Sequence, residues 1–278
     1  MRRHAGSATR SAKRSPLAEL LFWPALLAYG EAAVAYAGNA RRPGYAGRLG
    51  TWGVRLGWLL QTALLVVQAA RAEGFPWDTW AGSLNLFVWL VVTGYLIWGC
   101  RARYRLLGLA VMPLAAVLLV VARIGGGTSF DERSRYSSVF LVLHVGLVLA
   151  AFAGFTLAAA LSALYLWQER ALKRRHPGGM LGRAPALLTL DTLAARTVGV
   201  AVPALTAGIV AGLVRLRGSG DGIDALMAVT VLTWLLYGSY LVLRYEAGWR
   251  GRRAAYLLLA GFALVVVARL GLPLTHFS

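Results

Sequence analysis

Four histidines, His4, His144, His176 and His276, are the side chains of this sequence best suited to chemistry. A neutral imidazole is a good ligand for haem iron, and a bis-histidine site needs one ligand on each side of the ring. His144 and His276 are far apart in sequence, but they can meet at one end of a helix bundle. A histidine at the end of a span is as often a polar contact between helices. His276, third from the end, taken alone is typical of a solvated tail, and His4 and His176 are predicted to face solvent.

Other residues near these histidines are suited to holding a porphyrin. Aromatic rings could pack on it, and guanidinium groups could pair with its propionates. The aromatic candidates are Phe130, Tyr136, Phe140, Trp234 and Phe277, and the basic candidates are Arg123, Arg133, Arg135, Arg215 and Arg217. None of these residues is specific by itself, and two histidines alone do not support a functional assignment.

The chemistry of most enzymes is missing from the sequence. The single cysteine, Cys100, excludes an intramolecular disulfide, a CxxC redox pair and a CxxCH haem-attachment site. No nucleophile–base pair, phosphate-binding loop or metal-ligand spacing is visible. We therefore expect no stand-alone enzyme.

Composition identifies the environment in which these residues work. Of 278 residues, 58% are hydrophobic and 14% are charged, with a mean hydropathy of +0.62 and a net charge of +18. Soluble domains carry about 25% charged residues. The basic residues lie mostly in short gaps between long apolar runs, which is typical of membrane loops and not of a nucleic-acid-binding surface. The sequence predicts an integral membrane protein.

Eight apolar runs are long enough to cross a bilayer as helices. Continuous runs without alternation favour helices over a barrel, because backbone polar groups in lipid must be satisfied within the segment. The prediction is an all-α, polytopic membrane helix bundle with spans at Leu17–Ala37, Thr51–Ala70, Ser83–Cys100, Leu106–Ala122, Val139–Trp167, Thr197–Val214, Ala225–Leu243 and Ala254–Leu272.

Two regions flank or interrupt this bundle. Residues 1–16 form a basic tail, and residues 17–278 form the transmembrane domain. The first apolar run is too long for a signal peptide and lacks a clear cleavage site. The longest gap, Gln168–Arg196, is basic and contains Pro177, and we expect a short surface helix there. Glycines within the spans, Gly146, Gly154, Gly208, Gly212 and Gly261, are expected to permit close helix packing.

Loop charge predicts the orientation of the chain. Loops after the first, third, fifth and seventh spans hold most of the basic residues, whereas the alternate loops hold six acids: Glu73, Asp78, Asp131, Glu132, Asp221 and Asp224. The positive-inside rule therefore places both termini outside, despite the basic tail. His144 and His276 then lie on the same outer side of a plasma membrane.

Several segments together resemble the CcsA/HemX-like cytochrome c assembly family, whose members handle haem. They are Gly74-Phe75-Pro76 with Ser83-Leu84-Asn85-Leu86-Phe87, Leu143-His144-Val145, Tyr165-Leu166-Trp167-Gln168-Glu169-Arg170, Leu190-Asp191-Thr192-Leu193, Pro203-Ala204-Leu205-Thr206-Ala207-Gly208, Leu232-Thr233-Trp234-Leu235-Leu236-Tyr237 and Gly248-Trp249-Arg250-Gly251-Arg252-Arg253. The resemblance covers nearly the whole chain after the basic tail. It implies bound haem, with His144 and His276 as the outer axial ligands and Trp234 and Asp224 beside the cofactor.

The chain departs from the family pattern at two places. Haem-lyase members carry a tryptophan-rich outer segment that ends in Trp-Asp. The corresponding loop here, Arg217 to Asp224, has no tryptophan, and Asp224 is the only residue that matches this segment. Haem-lyase members also carry a histidine near the cytoplasmic end of the seventh span, and Val242 occupies the corresponding position in this chain. The resemblance therefore implies haem binding more firmly than transfer of haem to a cytochrome.

Three functions remain open from the sequence. The first is haem handling in cytochrome c assembly, at most as one component of a haem-lyase system, beside a second membrane subunit. In such a system the haem vinyl groups and the cytochrome thiols supply the chemistry. The second is a HemX-type regulator of haem biosynthesis that acts through its basic cytoplasmic loops. The third is a transporter, for which Glu31 and Pro203 are the only faint signals.

Overall fold

The computed structural model describes residues 16–41, 44–71, 77, 79–99, 104–128, 139–174, 185–219 and 225–271. All regular secondary structure in these residues is helical. The eight helices are α1 (Pro16–Arg41), α2 (Ala46–Arg71), α3 (Trp80–Gly99), α4 (Arg105–Ile124), α5 (Val139–Lys173), α6 (Leu187–Ser219), α7 (Ala225–Tyr245) and α8 (Arg252–Gly271). The predicted all-α fold is confirmed.

Seven helices, α1 to α7, are long and apolar enough over their described residues to cross a membrane. The eighth, α8, has 20 residues and packs against α5 and α7. Its predicted span, Ala254–Leu272, extends past the described residues. The chain is a multi-pass membrane protein built as a helical bundle.

Helix α5 lies at the centre of the bundle, in contact with α3, α4, α6 and α8, while α1 and α2 pack together at one edge. Across α5 and α6, His144 lies against Gly212 and Gly154 lies against Ala201, so the two helices are antiparallel. The start of α5 and the end of α6 therefore share one end of the bundle, which we call the His144 end. The opposite end, which holds the start of α6, is the Asp191 end.

Small residues bring neighbouring helices together, as the sequence predicts. A Cβ added at Gly154 would lie 2.9 Å from the Ala201 Cβ, and one at Gly261 would lie 2.8 Å from a Leu236 methyl. Such distances leave no room for a side chain and allow the close approach that stabilises helix pairs in lipid. Gly146 is the exception among the five predicted positions, because nothing lies within 4 Å of its added Cβ.

A buried chain of amides links α1, α2 and α3. The Tyr29 hydroxyl donates to Gln61 Oε1 at 2.7 Å, and Gln61 Nε2 donates to Asn85 Oδ1 at 3.0 Å. Asn85 Nδ2 then donates to Gln68 Oε1 and to the Gly127 carbonyl, each at 3.2 Å. Because these side chains are buried, the network satisfies groups that would be costly to leave unpaired, and it anchors the turn after α4 on α3.

Two tryptophans join α2 to α3 in a reciprocal arrangement. Trp58 Nε1 donates to Thr93 Oγ1, and Trp89 Nε1 donates to Thr62 Oγ1, each at 2.8 Å. The two indoles stack with their centroids 5.9 Å apart. Each threonine hydroxyl donates in turn to a carbonyl of its own helix. This pattern satisfies every polar group of the contact, as an interface within lipid requires.

The prediction of a short surface helix between Gln168 and Arg196 is wrong for the described part of that segment. Helix α5 continues to Lys173 and α6 begins at Leu187, so residues 168–173 and 187–196 belong to the long helices. Leu190 and Asp191 are buried. The first turns of α6 therefore belong to the core. The basic composition of the segment is a poor guide to its location, because these turns also carry an apolar face and a buried carboxylate.

Candidate functional site

His144 is the sixth residue of α5 and lies half-buried at the interface with α6. Its Nδ1 lies 2.6 Å from the Gly208 carbonyl oxygen. Because a carbonyl oxygen only accepts hydrogen bonds, Nδ1 must carry the hydrogen. In the neutral ring this leaves the lone pair on Nε2, which is the arrangement found in histidines that ligate metals.

Glycines on α6 create the space for this ring. A Cβ added at Gly212 would lie 2.7 Å from His144 Cε1 and 2.9 Å from its Nδ1. One added at Gly208 would lie 2.8 Å from a Val148 methyl. The four-residue spacing puts both glycines on the same face of α6. The Cε1–Nδ1 edge of the imidazole consequently packs against α6 at Gly212, where a larger residue would overlap the ring, and a larger residue at Gly208 would press on Val148 beside it.

Trp234 occupies a different side of α6. Its Nε1 donates to Thr206 Oγ1 at 2.8 Å, and that hydroxyl donates to the Val202 carbonyl. Thr206 and Gly208 are two residues apart, so about 200° separates them around the helix axis. The structure therefore does not bring Trp234 and His144 together against a common surface of α6, and a haem contact by Trp234 stays a prediction.

His276 and Asp224 lie outside the described residues, so their predicted roles remain expectations. The same applies to Phe130, Tyr136, Phe277, Arg133 and Arg135, and to the side chains of Phe140, Arg215 and Arg217. Cys100, His4 and His176 also lie outside them. Among the candidate residues, the structure thus gives side-chain geometry for His144, Trp234 and Arg123.

Arg123, a candidate for pairing with a propionate, has protein partners at the end of α4. Its guanidinium donates to Glu19 Oε1 at 2.9 Å and to Thr128 Oγ1 at 3.2 Å. It also lies over the Phe22 ring, with the guanidinium carbon 5.2 Å from the ring centroid. In this arrangement Arg123 ties α4 to the start of α1.

The Asp191 end holds a buried ion pair that the sequence analysis did not single out. Arg244 donates to both carboxylate oxygens of Asp191, at 2.8 and 3.1 Å, and the Gly251 backbone N–H donates to Asp191 Oδ1 at 3.0 Å. Gly251 adopts a φ of 68°, which favours glycine in the α7–α8 turn. The sequence did contain a signal for this ion pair, namely an acid on an otherwise apolar helical face and an arginine at the end of the seventh span.

Ligands for a protein-only metal site are scarce. Over the ranges that the structure describes, no group of three or more His, Cys, Asp or Glu side chains could hold a metal ion. A single imidazole such as that of His144 suits a metal whose other ligands come from a cofactor, as the porphyrin nitrogens of haem do.

Fold and site together define a polytopic helical membrane protein with one histidine oriented by a neighbouring helix. The sequence model of the family described as cytochrome c assembly protein matches residues 77–276. The chain belongs to that family, which confirms the resemblance and places it among proteins of cytochrome c assembly. His144, Asp224, Trp234 and His276 all lie in the matched region, whereas α1 and α2 precede it.

Curated relatives agree with this assignment. The chain is 27% identical over 281 residues to the cytochrome c biogenesis protein CcsA of Gloeothece citriformis, covering 83% of this chain and 86% of the relative. It is 26% identical over 313 residues to CcsA of Picosynechococcus, covering 91% of each. A CcsA of Heterosigma akashiwo is 28% identical over 235 residues, 71% of this chain and 73% of the relative. These relatives give no support to the HemX branch.

Proposed function

We propose that this protein binds haem non-covalently and handles it at the outer face of the membrane during cytochrome c assembly, with His144 Nε2 as one axial ligand. The observation that carries the proposal is the 2.6 Å contact between His144 Nδ1 and the Gly208 carbonyl. It places the hydrogen on Nδ1, which leaves the Nε2 lone pair for ligation.

The surroundings of His144 fit such a ligand. A backbone carbonyl that accepts from Nδ1–H orients the ring, and loss of such a partner costs about 10–100-fold in metal affinity. Gly208 and Gly212 hold the imidazole against α6, while the side chain is only half-buried. Haem, when bound, would supply the iron and the vinyl groups from which thioethers form. The chain's own residues would orient, bind and shield it.

A second ligand to the haem iron would complete the proposed site. His276 has the appropriate chemistry and, on the predicted topology, lies on the same side of the membrane as His144. Trp234 and Asp224 are proposed as further contacts to haem.

The proposed role is that of a component and not of a stand-alone enzyme. A second membrane subunit for cytochrome c assembly is the expected partner, and the plasma membrane is the proposed location. The missing tryptophans between Arg217 and Asp224 and the valine at position 242 favour haem binding over complete transfer to an apocytochrome.

Visible spectroscopy of the protein purified in detergent from haem-replete cells tests the proposal. The wild type should show a sharp low-spin Soret band and split bands on reduction. His144→Ala and His276→Ala should each abolish the bis-histidine spectrum, whereas His4→Ala and His176→Ala, the matched controls, should retain it. Added imidazole should partly restore the spectrum of His144→Gly. A spectrum unchanged by His144→Ala, or a colourless wild type, would refute the assignment.

A further inference from the structure

Two charged residues of the α1–α2 hairpin lie at least nine residues from both ends of their helices, and the proposed haem function does not use them. Glu31 is ten residues before the end of α1, and Arg55 is nine residues after the start of α2. At 1.5 Å per residue each lies about 14–15 Å from the end of its helix. Because α1 and α2 are antiparallel, these ends are on the same side, and both charges lie at nearly the same depth.

Arg55 belongs to the outward-facing stripe of α2, and Glu31, also exposed, lies where the outward-facing stripe of α1 meets α2. Glu31 is exposed in line with Leu27 and Val34 on α1. Arg55 is exposed beside Trp52 and Leu56 on α2. In a membrane these stripes would face lipid, where charged groups are costly and normally find a partner.

The hairpin does not pair the two charges with each other. The Glu31 carboxylate lies against Gly53 at the α1–α2 interface. The Arg55 guanidinium carbon lies 5.2 Å from the centroid of the Trp52 ring. Gly53 and Arg55 are two residues apart, so about 200° separates them around α2. The ion pairs found in the described part of the chain join other residues, among them Glu19–Arg123 and Asp191–Arg244.

An apolar ridge runs along α2 between the two charges. It consists of Leu49, Trp52, Leu56 and Leu59, whose side chains are 54–66% exposed. On one side of the ridge lies Glu31, and on the other lies Arg55. A two-fold rotation about the membrane normal keeps every residue at the same depth and places the Glu31 side of one ridge against the Arg55 side of the other. Each charge then faces a charge of the opposite sign.

We propose that this face binds a second copy of the chain in the membrane, with the α2 ridges in contact and Glu31 of each copy paired with Arg55 of the other. The surface is complementary to itself because it carries both signs at one depth, as an isologous interface requires. A different partner would have to supply its own matching acid and base. In lipid, where apolar contact alone gives little driving force, two ion pairs at the edges of a close-packed seam would favour association.

The proposed interface is separate from the candidate haem site. Helices α1 and α2 pack on each other and on α3 and α4, whereas His144 lies between α5 and α6. Dimerisation would thus leave the His144 end of α5 and α6 uncovered, and the proposal does not depend on haem binding.

Cysteine cross-linking in native membranes tests the geometry. In a Cys100→Ser background, Leu56→Cys lies on the ridge, while Val200→Cys, 70% exposed on α6, is the matched lipid-facing control. We expect oxidation to link Leu56→Cys into a covalent dimer with a yield about tenfold above that of Val200→Cys. Equal yields would overturn the proposal, as would cross-linking of Leu56→Cys to a different membrane protein in place of a second copy.

Charge exchange tests the pairing. Glu31→Arg alone and Arg55→Glu alone should each lower the Leu56→Cys dimer yield about tenfold, because like charges then face each other. The double variant Glu31→Arg/Arg55→Glu keeps the composition and should restore the yield. The yield is expressed per folded protein, measured as the monodisperse peak in gel filtration. A double variant whose dimer yield per folded protein is no higher than that of either single variant would contradict the proposed pairs.

Discussion

The carboxylate of Asp191 on α6 accepts two hydrogen bonds from the guanidinium of Arg244 on α7, at 2.8 and 3.1 Å. Both side chains are more than nine-tenths buried. A third hydrogen bond to the same carboxylate comes from the Gly251 backbone. One carboxylate thus fixes the start of α6, the end of α7 and the turn before α8.

Removing one partner of this pair should destabilise the protein more than removing both. Arg244→Leu leaves Asp191 as a buried, uncompensated charge, and such losses cost about 3–5 kcal/mol. The double variant Asp191→Leu/Arg244→Leu leaves no charge behind and should be closer to the wild type. Thermal unfolding followed by gel filtration in detergent measures the difference. A double variant less stable than Arg244→Leu would contradict this account.

Enlarging Gly212 should disturb His144. The Cβ of Gly212→Ala would overlap the imidazole ring, so the ring must shift from the Gly208 carbonyl. We expect weaker haem retention and an altered Soret band, with an overpacking cost of about 1–3 kcal/mol. Gly199→Ala on the same helix meets nothing within 4 Å and is the control. It should gain up to about 1 kcal/mol from helix propensity and leave the spectrum unchanged.

Replacement of Asn85 should loosen the turn after α4. In Asn85→Leu, Gln61 and Gln68 each lose a buried hydrogen bond, and Gly127 loses one of the two amide donors on its carbonyl. Each of these groups keeps one other partner, so we expect a loss of about 0.5–1.5 kcal/mol for each hydrogen bond removed. The midpoint of thermal unfolding should fall accordingly. Ser239→Ala, at an exposed site on α7, should leave it within error, and an Asn85→Leu midpoint equal to that control would rule out the network as a stabilising feature.

Trp234 can be assigned to packing or to haem contact by two conservative variants. Trp234→Phe and Thr206→Val both remove the hydrogen bond between α7 and α6, and each should lower stability by about 0.5–1.5 kcal/mol. Only Trp234→Phe alters a ring that haem could contact. If the visible spectrum shifts in Trp234→Phe and not in Thr206→Val, the indole touches the cofactor. Matching spectra in the two variants would leave Trp234 with its structural role alone.

Hydropathy predicted the helices well because crossing lipid demands about 20 apolar residues and an internally bonded backbone. The predicted spans Leu17–Ala37 and Ala225–Leu243 lie within α1 and α7. The boundaries differ most at α6, where the run Thr197–Val214 begins ten residues after the helix does. Charge and a buried carboxylate lower the hydropathy of residues 187–196, although these residues pack in the core.

The amino-acid sequence by itself determined the class of protein and the approximate positions of the helices that the structure describes, and it offered His144 as a candidate ligand. Composition, run length and the order of motifs carry that information locally. Only the tertiary structure decided which partners these residues have. The acceptor of His144 is 64 residues away and Arg244 is 53 residues from Asp191. Contacts of that separation depend on how helices rotate and approach one another, which hydropathy along a single chain does not encode.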